Sequence, residues 1–265
     1  MLNRIVVIKG AGDVATGIAH RLFRSGIRLV MTELPYPTVI RRTVAFAQAV
    51  YTGHTIVEDV MAVKANIDDV GTLLMSGVIP VIIDDKAACV AALKPWAIVD
   101  AILAKKNINT KKSDAPVVVG VGPGFIAGHD VHVVIETMRG HNLGRVVLEG
   151  TALANTGMPG SINGYTHQRL LRAPCSGIFQ GIGHIGEKVS AGEPVARVGG
   201  QQIVAPIDGV IRGLLQDGLV VAKDMKVGDI DPRGCKEYCF TISDKARAIG
   251  GGVLEALFMH CGINA

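Results

Sequence analysis

Aromatic residues are scarce in this 265-residue chain, because Phe, Trp and Tyr together make up 4% of it. A protein that binds single-stranded nucleic acid usually stacks bases on such rings. The 27 Lys and Arg residues barely exceed the 23 Asp and Glu residues, so the basic excess typical of nucleic-acid binding is missing as well. We therefore expect no nucleic-acid partner.

Long hydrophobic runs are also missing, although the mean hydropathy is +0.37. Apolar stretches such as residues 79–83 are far shorter than the ~20 residues that a membrane-spanning helix needs. The first residues run directly into a strand-like pattern and show neither the apolar segment nor the cleavage site of a signal peptide. The few cysteines are irregularly spaced, at positions 89, 175, 235, 239 and 261, which favours reduced thiols. These features predict a cytoplasmic protein without a membrane partner.

A strand, a glycine turn and a helix open the chain, with the spacing G-x-G-x-x-A at Gly10, Gly12 and Ala15. Gly10 permits a tight turn, Gly12 lets the backbone approach a phosphate, and Ala15 allows the helix to pack closely on the strand. The helix N-terminus offers backbone N–H groups to an anion. Glu33 stands at the end of the second strand, where a ribose hydroxyl is usually bound. This pattern predicts the binding of a dinucleotide-type ligand.

Two further residues of the turn, Asp13 and Thr16, belong to the predicted binding set. Asp13 also supports an alternative, because an acid at a helix start can cap the helix and compete with a phosphate. Arg41 and Arg42 follow Glu33 and could neutralise a 2′-phosphate or another acidic group of the ligand. The alternatives are a glycine turn kept for packing and a solvated pair of arginines.

A second glycine loop, at Gly122 and Gly124, follows the apolar residues 117–121. Its backbone amides could line a crevice, with His129 beyond them, and a rigid hairpin loop is the alternative. The cluster of His129, His132, Glu136, Arg139 and His141 suggests a metal site, but an extended strand would hold these side chains too far apart. No metal is therefore predicted.

The direction of the strand after Val121 decides how these residues group. If that strand turns back antiparallel, the loop from Gly122 to Gly128 lies beside Gly10 at one edge of the sheet, and Glu136 to His141 lie at the opposite edge. The sequence then predicts two separate surfaces.

An internal repeat links residues 173–198 to residues 205–230 at an offset of 32, with matches such as Ala173-Pro174 on Ala205-Pro206. The repeat resembles biotinyl and lipoyl carrier domains through its A-P-x-x-G and G-x-x-V-x-x-G patterns. Those carriers hold a modifiable Lys between their halves, whereas the link here, residues 199–204, has none. We expect the barrel-sandwich hybrid shape without biotin or lipoate.

Together these patterns predict an α/β fold class: a Rossmann-like N-terminal domain followed by a β-rich region with a barrel-sandwich hybrid module. The expected organisation is a Rossmann-like nucleotide-binding domain over residues 1–112 and a β-rich middle region over 113–170. The barrel-sandwich hybrid module then covers 171–234, and a closing C-terminal helix covers 235–265.

The order of motifs along the chain resembles the YqeB-type family of the selenium-dependent molybdenum hydroxylase system. The motifs that carry this resemblance are residues 10–17, 40–46, 122–125, 135–141, 228–233 and 242–255. The resemblance implies a maturation factor for molybdenum hydroxylases that need labile selenium, with the hydroxylase or other maturation proteins as partners. It implies no known reaction, so catalytic residues stay unknown and a homo-oligomer stays open.

Three functions remain open from the residues. The first is an accessory factor that binds a dinucleotide-type ligand, either NAD(P) or the dinucleotide form of molybdopterin. The second is an NAD(P)-dependent oxidoreductase, which Glu33 favours but for which a convincing catalytic pair is missing. The third is a scaffold whose β-rich modules dock a client hydroxylase.

Overall fold

The computed structural model describes residues 4–261, and these residues divide into two units. The first unit contains residues 4–37, 46–156 and 242–261. The second unit contains residues 38–45 and 157–241. Each unit is built around its own set of buried aliphatic side chains.

The first unit consists of one sheet with helices between its strands. Its strands are β1 (Ile5–Lys9), β2 (Arg28–Glu33), β3 (His54–Val57), β4 (Val60–Ala65), β5 (Ile79–Ile83), β6 (Ala97–Asp100), β7 (Val117–Val121), β8 (Val133–Ile135) and β9 (Val146–Val147). Its α-helices are α1 (Asp13–Arg24), α2 (Ala49–Thr52), α3 (Val70–Met75), α4 (Cys89–Leu93) and α5 (Asp244–Met259). Short 3-10 turns lie at Phe46–Gln48, Ile67–Asp69 and Lys112–Asp114.

The strands of this sheet lie in the order β3-β4-β5-β2-β1-β6-β7-β8-β9. From β4 to β8 all neighbours run parallel, and β3 and β9 pair antiparallel at the two sides. Parallel strands that are covered on both faces read as continuous apolar runs, as the fully buried Val117–Val121 shows. The carboxyl ends of the parallel strands therefore share one edge of the sheet.

Helices α1 and α5 pack so closely that glycine is required at their crossing. A Cβ at Gly17 would lie 2.6 Å from the Cβ of Ala246, and a Cβ at Gly250 would lie 2.9 Å from the carbonyl oxygen of Gly17. Arg21, one turn beyond Gly17, also meets Gly250, so the two helices run in the same direction. Both helix N-termini therefore point toward the carboxyl edge of the sheet, since α1 starts directly after β1.

The second unit consists of eight short strands and three 3-10 turns within the described residues. The strands are β10 (Leu170–Arg172), β11 (Gly177–Gly181), β12 (Lys188–Val189), β13 (Pro194–Val198), β14 (Gln201–Val204), β15 (Gly209–Leu214), β16 (Val220–Val221) and β17 (Lys226–Asp231). The 3-10 turns lie at His167–Arg169 and Lys236–Cys239, with a further one at Arg42–Val44.

The repeat with an offset of 32 is reproduced by these strands. They form two four-stranded sheets in the orders β10-β17-β15-β12 and β14-β13-β11-β16, so each sheet draws strands from both halves of the repeat. Gly199 and Gly200, with φ of 54° and 84°, form the tight link between β13 and β14. Because strands of one half pair with strands of the other half in both sheets, the two halves share one core.

The predicted fold class, a Rossmann-like domain followed by a barrel-sandwich hybrid module, is wrong. The chain is mixed α/β with one large sheet of parallel and antiparallel strands, and that sheet does not stop before Val117 but takes in β7, β8 and β9. The helices α3 and α4 have only six and five residues, and β7 joins β8 without a helix of the described chain. The repeat is also not a separate carrier-type segment, because residues 38–45 belong to the same unit.

The condition for two separate surfaces, an antiparallel return after Val121, is not met. β8 pairs parallel with β7, in a register that places Ile135 opposite Val121. Glu136 therefore follows its strand at the same edge of the sheet as Gly122, and the two predicted surfaces become one edge. Within residues 4–261, no helix is long and apolar enough to cross a membrane.

Candidate functional site

The glycine turn lies at the carboxyl end of β1, which has β2 on one side and β6 on the other. The chain continues from β1 to β2 on one side of the sheet and adds β6, β7 and β8 later on the other side. Gly10 has a φ of 92° and donates its N–H to the carbonyl oxygen of Thr32 at 2.9 Å. A Cβ at Gly10 would lie 3.2 Å from the carbonyl oxygen of Ala101, which follows β6. The turn therefore needs glycine at this position both for its backbone conformation and for the close approach of the next loop.

Gly12 is the N-cap of α1, with Asp13 in the first turn and Ala15 buried against the sheet. A glycine has no side chain with which to cap the first N–H groups of the helix. The turn thus presents a helix N-terminus to the edge where ligands of parallel sheets usually bind. Thr16 has a different role, because its hydroxyl donates to the Ala11 carbonyl at 3.1 Å and accepts from the Phe46 N–H at 2.8 Å. It is fully buried and holds the turn in place.

Glu33 lies next to the turn but binds the protein itself. One carboxylate oxygen accepts the Ala11 N–H at 2.8 Å, and the other accepts the Leu34 N–H at 2.8 Å. Burial raises the pKa of Glu33, and the two N–H groups lower it only in part. A ribose hydroxyl at this position would share a carboxylate that already positions the glycine turn.

A buried ion pair, which the sequence analysis missed, lies beneath the turn. The ammonium group of Lys9 lies 3.4 Å from a carboxylate oxygen of Asp100, and it donates to Asn109 at 2.6 Å and to Thr110 at 2.5 Å. The Thr110 hydroxyl in turn donates to Asp100 at 2.5 Å. The available signal was a charged residue at the last position of each of two apolar strands, β1 and β6. This network ties the loop after β6 to the base of the glycine turn.

The second glycine loop is shaped by packing at both of its glycines. A Cβ at Gly122 would lie 2.9 Å from the Thr137 hydroxyl, and a Cβ at Gly124 would lie 2.6 Å from the backbone of Lys106. The predicted residue His129 is farther along and is highly exposed, with its ring 3.0 Å from Asp130. The structure brings Gly122 to the carboxyl edge of the sheet, while His129 faces solvent.

Lys245, at the start of α5, is a further residue of this edge that the sequence analysis did not single out. Burial lowers the pKa of Lys245, and Arg139 lowers it further, whereas Asp13, Glu136 and Asp244 act in the opposite direction. The lysine therefore lies within electrostatic range of the first turn of α1 and of the end of β8. The sequence signal for Lys245 was weak: the residue lies in the motif at 242–255, which resembles the YqeB-type family, and no role was predicted for it.

Glu136 is buried and accepts two backbone N–H groups, from Met138 at 2.6 Å and from Leu153 at 2.8 Å. Arg139 pairs with Asp244 through contacts of 2.6 and 2.8 Å. Two acids at the carboxyl edge, Glu33 and Glu136, thus hold loop backbones in the same way.

Arg41 and Arg42 belong to the second unit, where their guanidinium groups bind carbonyl oxygens. Arg41 donates to the carbonyls of Tyr238 at 2.9 Å and Thr241 at 3.0 Å. Arg42 donates to the carbonyl of Leu214 at 2.8 Å. These bonds give both arginines a structural role within their own unit.

Four of the side chains considered for a metal, those of His129, His132, Glu136 and Arg139, have separate partners. His132, for instance, accepts the Val118 N–H at 3.0 Å. A different trio has the spacing of metal ligands: His20 Nε2 lies 2.9 Å from Asp59 and 3.6 Å from Glu58. Both carboxylates of this trio are also bound by arginines, Asp59 by Arg24 and Glu58 by Arg247. The trio therefore already forms an ion-pair network, and the chain pattern gave no signal for it because its members come from α1 and the β3–β4 turn.

A cavity of about 460 Å³ opens at the carboxyl ends of β4 and β5. It is lined by residues of both strand ends and of α4, namely Lys64, Ala65, Asn66, Ile67, Ile82, Ile83, Asp84, Ala88, Cys89 and Ala92. A wider depression of about 810 Å³ lies at the amino ends of β1, β6 and β7, near Arg4 and Trp96.

Comparison with solved structures finds only distant similarity. An aspartoacylase family protein from Mesorhizobium loti MAFF303099 shares 11% identity at a TM-score of 0.28, over 85% of this chain and 84% of that one. A succinylglutamate desuccinylase from Silicibacter sp. TM1040 shares 13% at a TM-score of 0.26, over 86% and 84%. At such scores the likeness carries no argument about fold or reaction. No protein-family model matches the chain.

Comparison with curated proteins finds a much stronger match. The chain is 50% identical over 266 residues to the uncharacterized protein YqeB of Escherichia coli (strain K12). The alignment covers 99% of this chain and 49% of YqeB, so the chain spans about half the length of that relative. The predicted resemblance to YqeB is therefore confirmed: along nearly its whole length this chain is similar to about half of YqeB.

Proposed function

We propose that the chain acts as an accessory or maturation factor for selenium-dependent molybdenum hydroxylases and binds a dinucleotide-type ligand, NAD(P) or molybdopterin dinucleotide, at its glycine turn. The role in maturation follows from the resemblance of its motifs to the YqeB-type family. The binding role follows from the turn itself.

One observation carries the binding proposal: the N-terminus of α1 begins at Gly12, directly after β1, at the shared carboxyl edge of the parallel strands. Phosphate groups bind at such positions because backbone N–H groups and the helix dipole both favour an anion. Lys245 adds a cationic group within range of Asp13. Glu33 and the Lys9–Asp100 pair support the turn from both sides, so the loop is held in place before a ligand arrives.

Calorimetric titration with NAD+ and with inorganic pyrophosphate tests the binding role. Gly12→Val adds a side chain where the phosphate would approach, and we expect it to weaken binding by at least roughly tenfold, since the N–H groups can no longer reach the ligand. Gly71→Val is the matched control, because a Cβ at Gly71 meets nothing within 4 Å. Equal affinity in Gly12→Val and wild type, with both proteins folded by circular dichroism, would contradict the proposal.

The maturation role is tested in a cell that produces a selenium-dependent molybdenum hydroxylase but lacks this protein. Wild type and Gly71→Val should restore hydroxylase activity and its molybdenum and selenium content, whereas Gly12→Val should not. Full hydroxylase activity without any form of the protein would contradict a role in maturation.

A further inference from the structure

The cavity at the carboxyl ends of β4 and β5 has the size and the position of a ligand subsite. Its volume of about 460 Å³ falls in the range of small-molecule pockets, which is roughly 300 to 1,000 Å³. Ligands of parallel sheets bind beyond the carboxyl ends of the strands. The wider depression near Arg4 lies at the amino ends and is therefore the weaker candidate.

Two hydrogen bonds connect this cavity to the glycine turn through one residue. The side chain of Glu33 accepts the Ala11 N–H of the turn at 2.8 Å, and its carbonyl oxygen accepts the N–H of Asp84, in the cavity wall, at 3.0 Å. In the sheet, β2 alone separates β1 from β5, which puts the ends of β1 and β5 about 10 Å apart at the usual strand spacing. One nucleoside can cover such a span.

The wall of the cavity suits a flat, uncharged ring. Ile67 and Ile83 line the cavity and are each more than one-third exposed. Ala88, the N-cap of α4, and Ala92, one turn later on that helix, line it without large side chains. The Asp84 carboxylate accepts the Cys89 N–H at 2.8 Å and so caps α4. Burial and the neighbouring Asp84 raise the pKa of the Cys89 thiol to about 12, so this thiol is neutral near pH 7.

We propose that this cavity binds the planar nitrogen heterocycle of the dinucleotide-type ligand, at one nucleoside's distance from the phosphates at the glycine turn. The aliphatic wall would cover the faces of the ring, and Asn66 would meet its polar edge. This inference rests on the proposed function, which it deepens by assigning a place to the base.

The test combines three kinds of probe: inorganic pyrophosphate for the turn, nucleosides for the cavity, and nucleoside diphosphates for both. ADP, GDP and CDP are titrated by calorimetry into wild type, Ala92→Phe and Ala91→Phe, with the corresponding nucleosides alongside. Ala92→Phe fills the cavity from an exposed position of α4, so the fold is expected to survive. Ala91→Phe is the matched control, because Ala91 is on the same helix but lines the depression at the opposite end of the sheet.

The cavity assignment predicts that at least one nucleoside diphosphate binds wild type more tightly than pyrophosphate does. In Ala92→Phe that affinity should fall by roughly tenfold or more, to the level of pyrophosphate, because the ring loses its buried surface. Pyrophosphate affinity in Ala92→Phe and every affinity in Ala91→Phe should stay as in wild type.

Other outcomes separate the two ideas. If nucleoside diphosphates bind no better than pyrophosphate, or if Ala92→Phe leaves their affinity unchanged, the cavity assignment is wrong while the glycine turn stands. If a nucleoside binds and Ala92→Phe abolishes its binding, but pyrophosphate does not bind at all, the cavity assignment is supported and phosphate binding at the glycine turn is wrong. If none of the probes binds wild type, both are wrong.

Discussion

Apart from the buried Lys9–Asp100 pair of the first unit, the buried and half-buried acids of the two units have different kinds of partner. In the second unit they bind arginines: Asp229 lies 2.8 Å from the buried Arg169, and the buried Asp231 lies 2.6 Å from the more exposed Arg233. In the first unit the acids of the carboxyl edge bind backbone N–H groups of loops, as Glu33 does for Ala11 and Glu136 does for Leu153. Charges that pair with each other compensate one another within a core, whereas charges that bind loop backbones fix the shape of an edge. The difference supports placing ligand binding in the first unit.

Variants of the buried ion pairs should change the free energy of unfolding more than any other variant proposed here. Asp229→Leu leaves the buried Arg169 guanidinium without its carboxylate partner and should lower the free energy of unfolding by about 3–5 kcal/mol. The double variant Arg169→Met, Asp229→Leu should recover most of it, because Arg169 Nε and Asp229 Oδ1 have no hydrogen-bond partner in the described chain. Chemical denaturation measures both.

Lys9→Met applies the same change to the first unit, since it leaves Asp100 buried without its ammonium partner. We expect a similar loss of stability, about 3–5 kcal/mol, and in addition a loss of pyrophosphate affinity. The Arg169→Met, Asp229→Leu protein should bind pyrophosphate as wild type does. If Lys9→Met lowers stability alone, or if the second-unit variant also loses affinity, the comparison fails.

A smaller effect is expected at Glu33 and depends on pH. Because burial raises its pKa in the folded state, the native protein binds more protons than the unfolded chain between the ordinary value and the raised value. The free energy of unfolding therefore falls as pH rises through that window and changes no further above it. Glu33→Gln removes this titration, so denaturation midpoints measured from pH 4 upward should lack the fall. A wild-type curve parallel to that of Glu33→Gln would contradict the raised pKa.

The smallest expected effect concerns the reactivity of Lys245. Its pKa is lowered from the ordinary lysine value, so a larger fraction of its side chain is the neutral amine at pH 8 than at that ordinary value. Lys223 is an exposed lysine of the second unit. Acetylation by a limiting amount of acetic anhydride, read by peptide mass spectrometry, should mark Lys245 before Lys223, and pyrophosphate should protect Lys245. If pyrophosphate protects both lysines, or neither, Lys245 is not part of the proposed site.

The sequence predicted what depends on neighbours along the chain. The strand, turn and helix around Gly10 and Gly12 follow from local spacing, and the repeat follows from identities at one offset. It did not predict the direction of β8, because the short connection after Val121 is typical of an antiparallel return, whereas parallel strands usually need a longer crossover.

Long-range partners were also beyond the sequence. The placement of Arg41 and Arg42 depends on carbonyl groups 197 and 172 residues away, and the pairing of Lys9 with Asp100 depends on the sheet order. The cavity beside β5 could not be read from spacing, because its wall comes from two strands and a helix whose side chains show no shared motif.

The proposed function requires an anion to bind at the N-terminus of α1, and amide chemical shifts during a pyrophosphate titration report on this binding residue by residue. We expect saturable chemical-shift changes for the N–H groups of residues 12–15 and none for those of residues 238–241, which lie beside Arg41. Saturable shifts confined to residues 238–241, or no saturable shift at residues 12–15, would contradict the proposed binding.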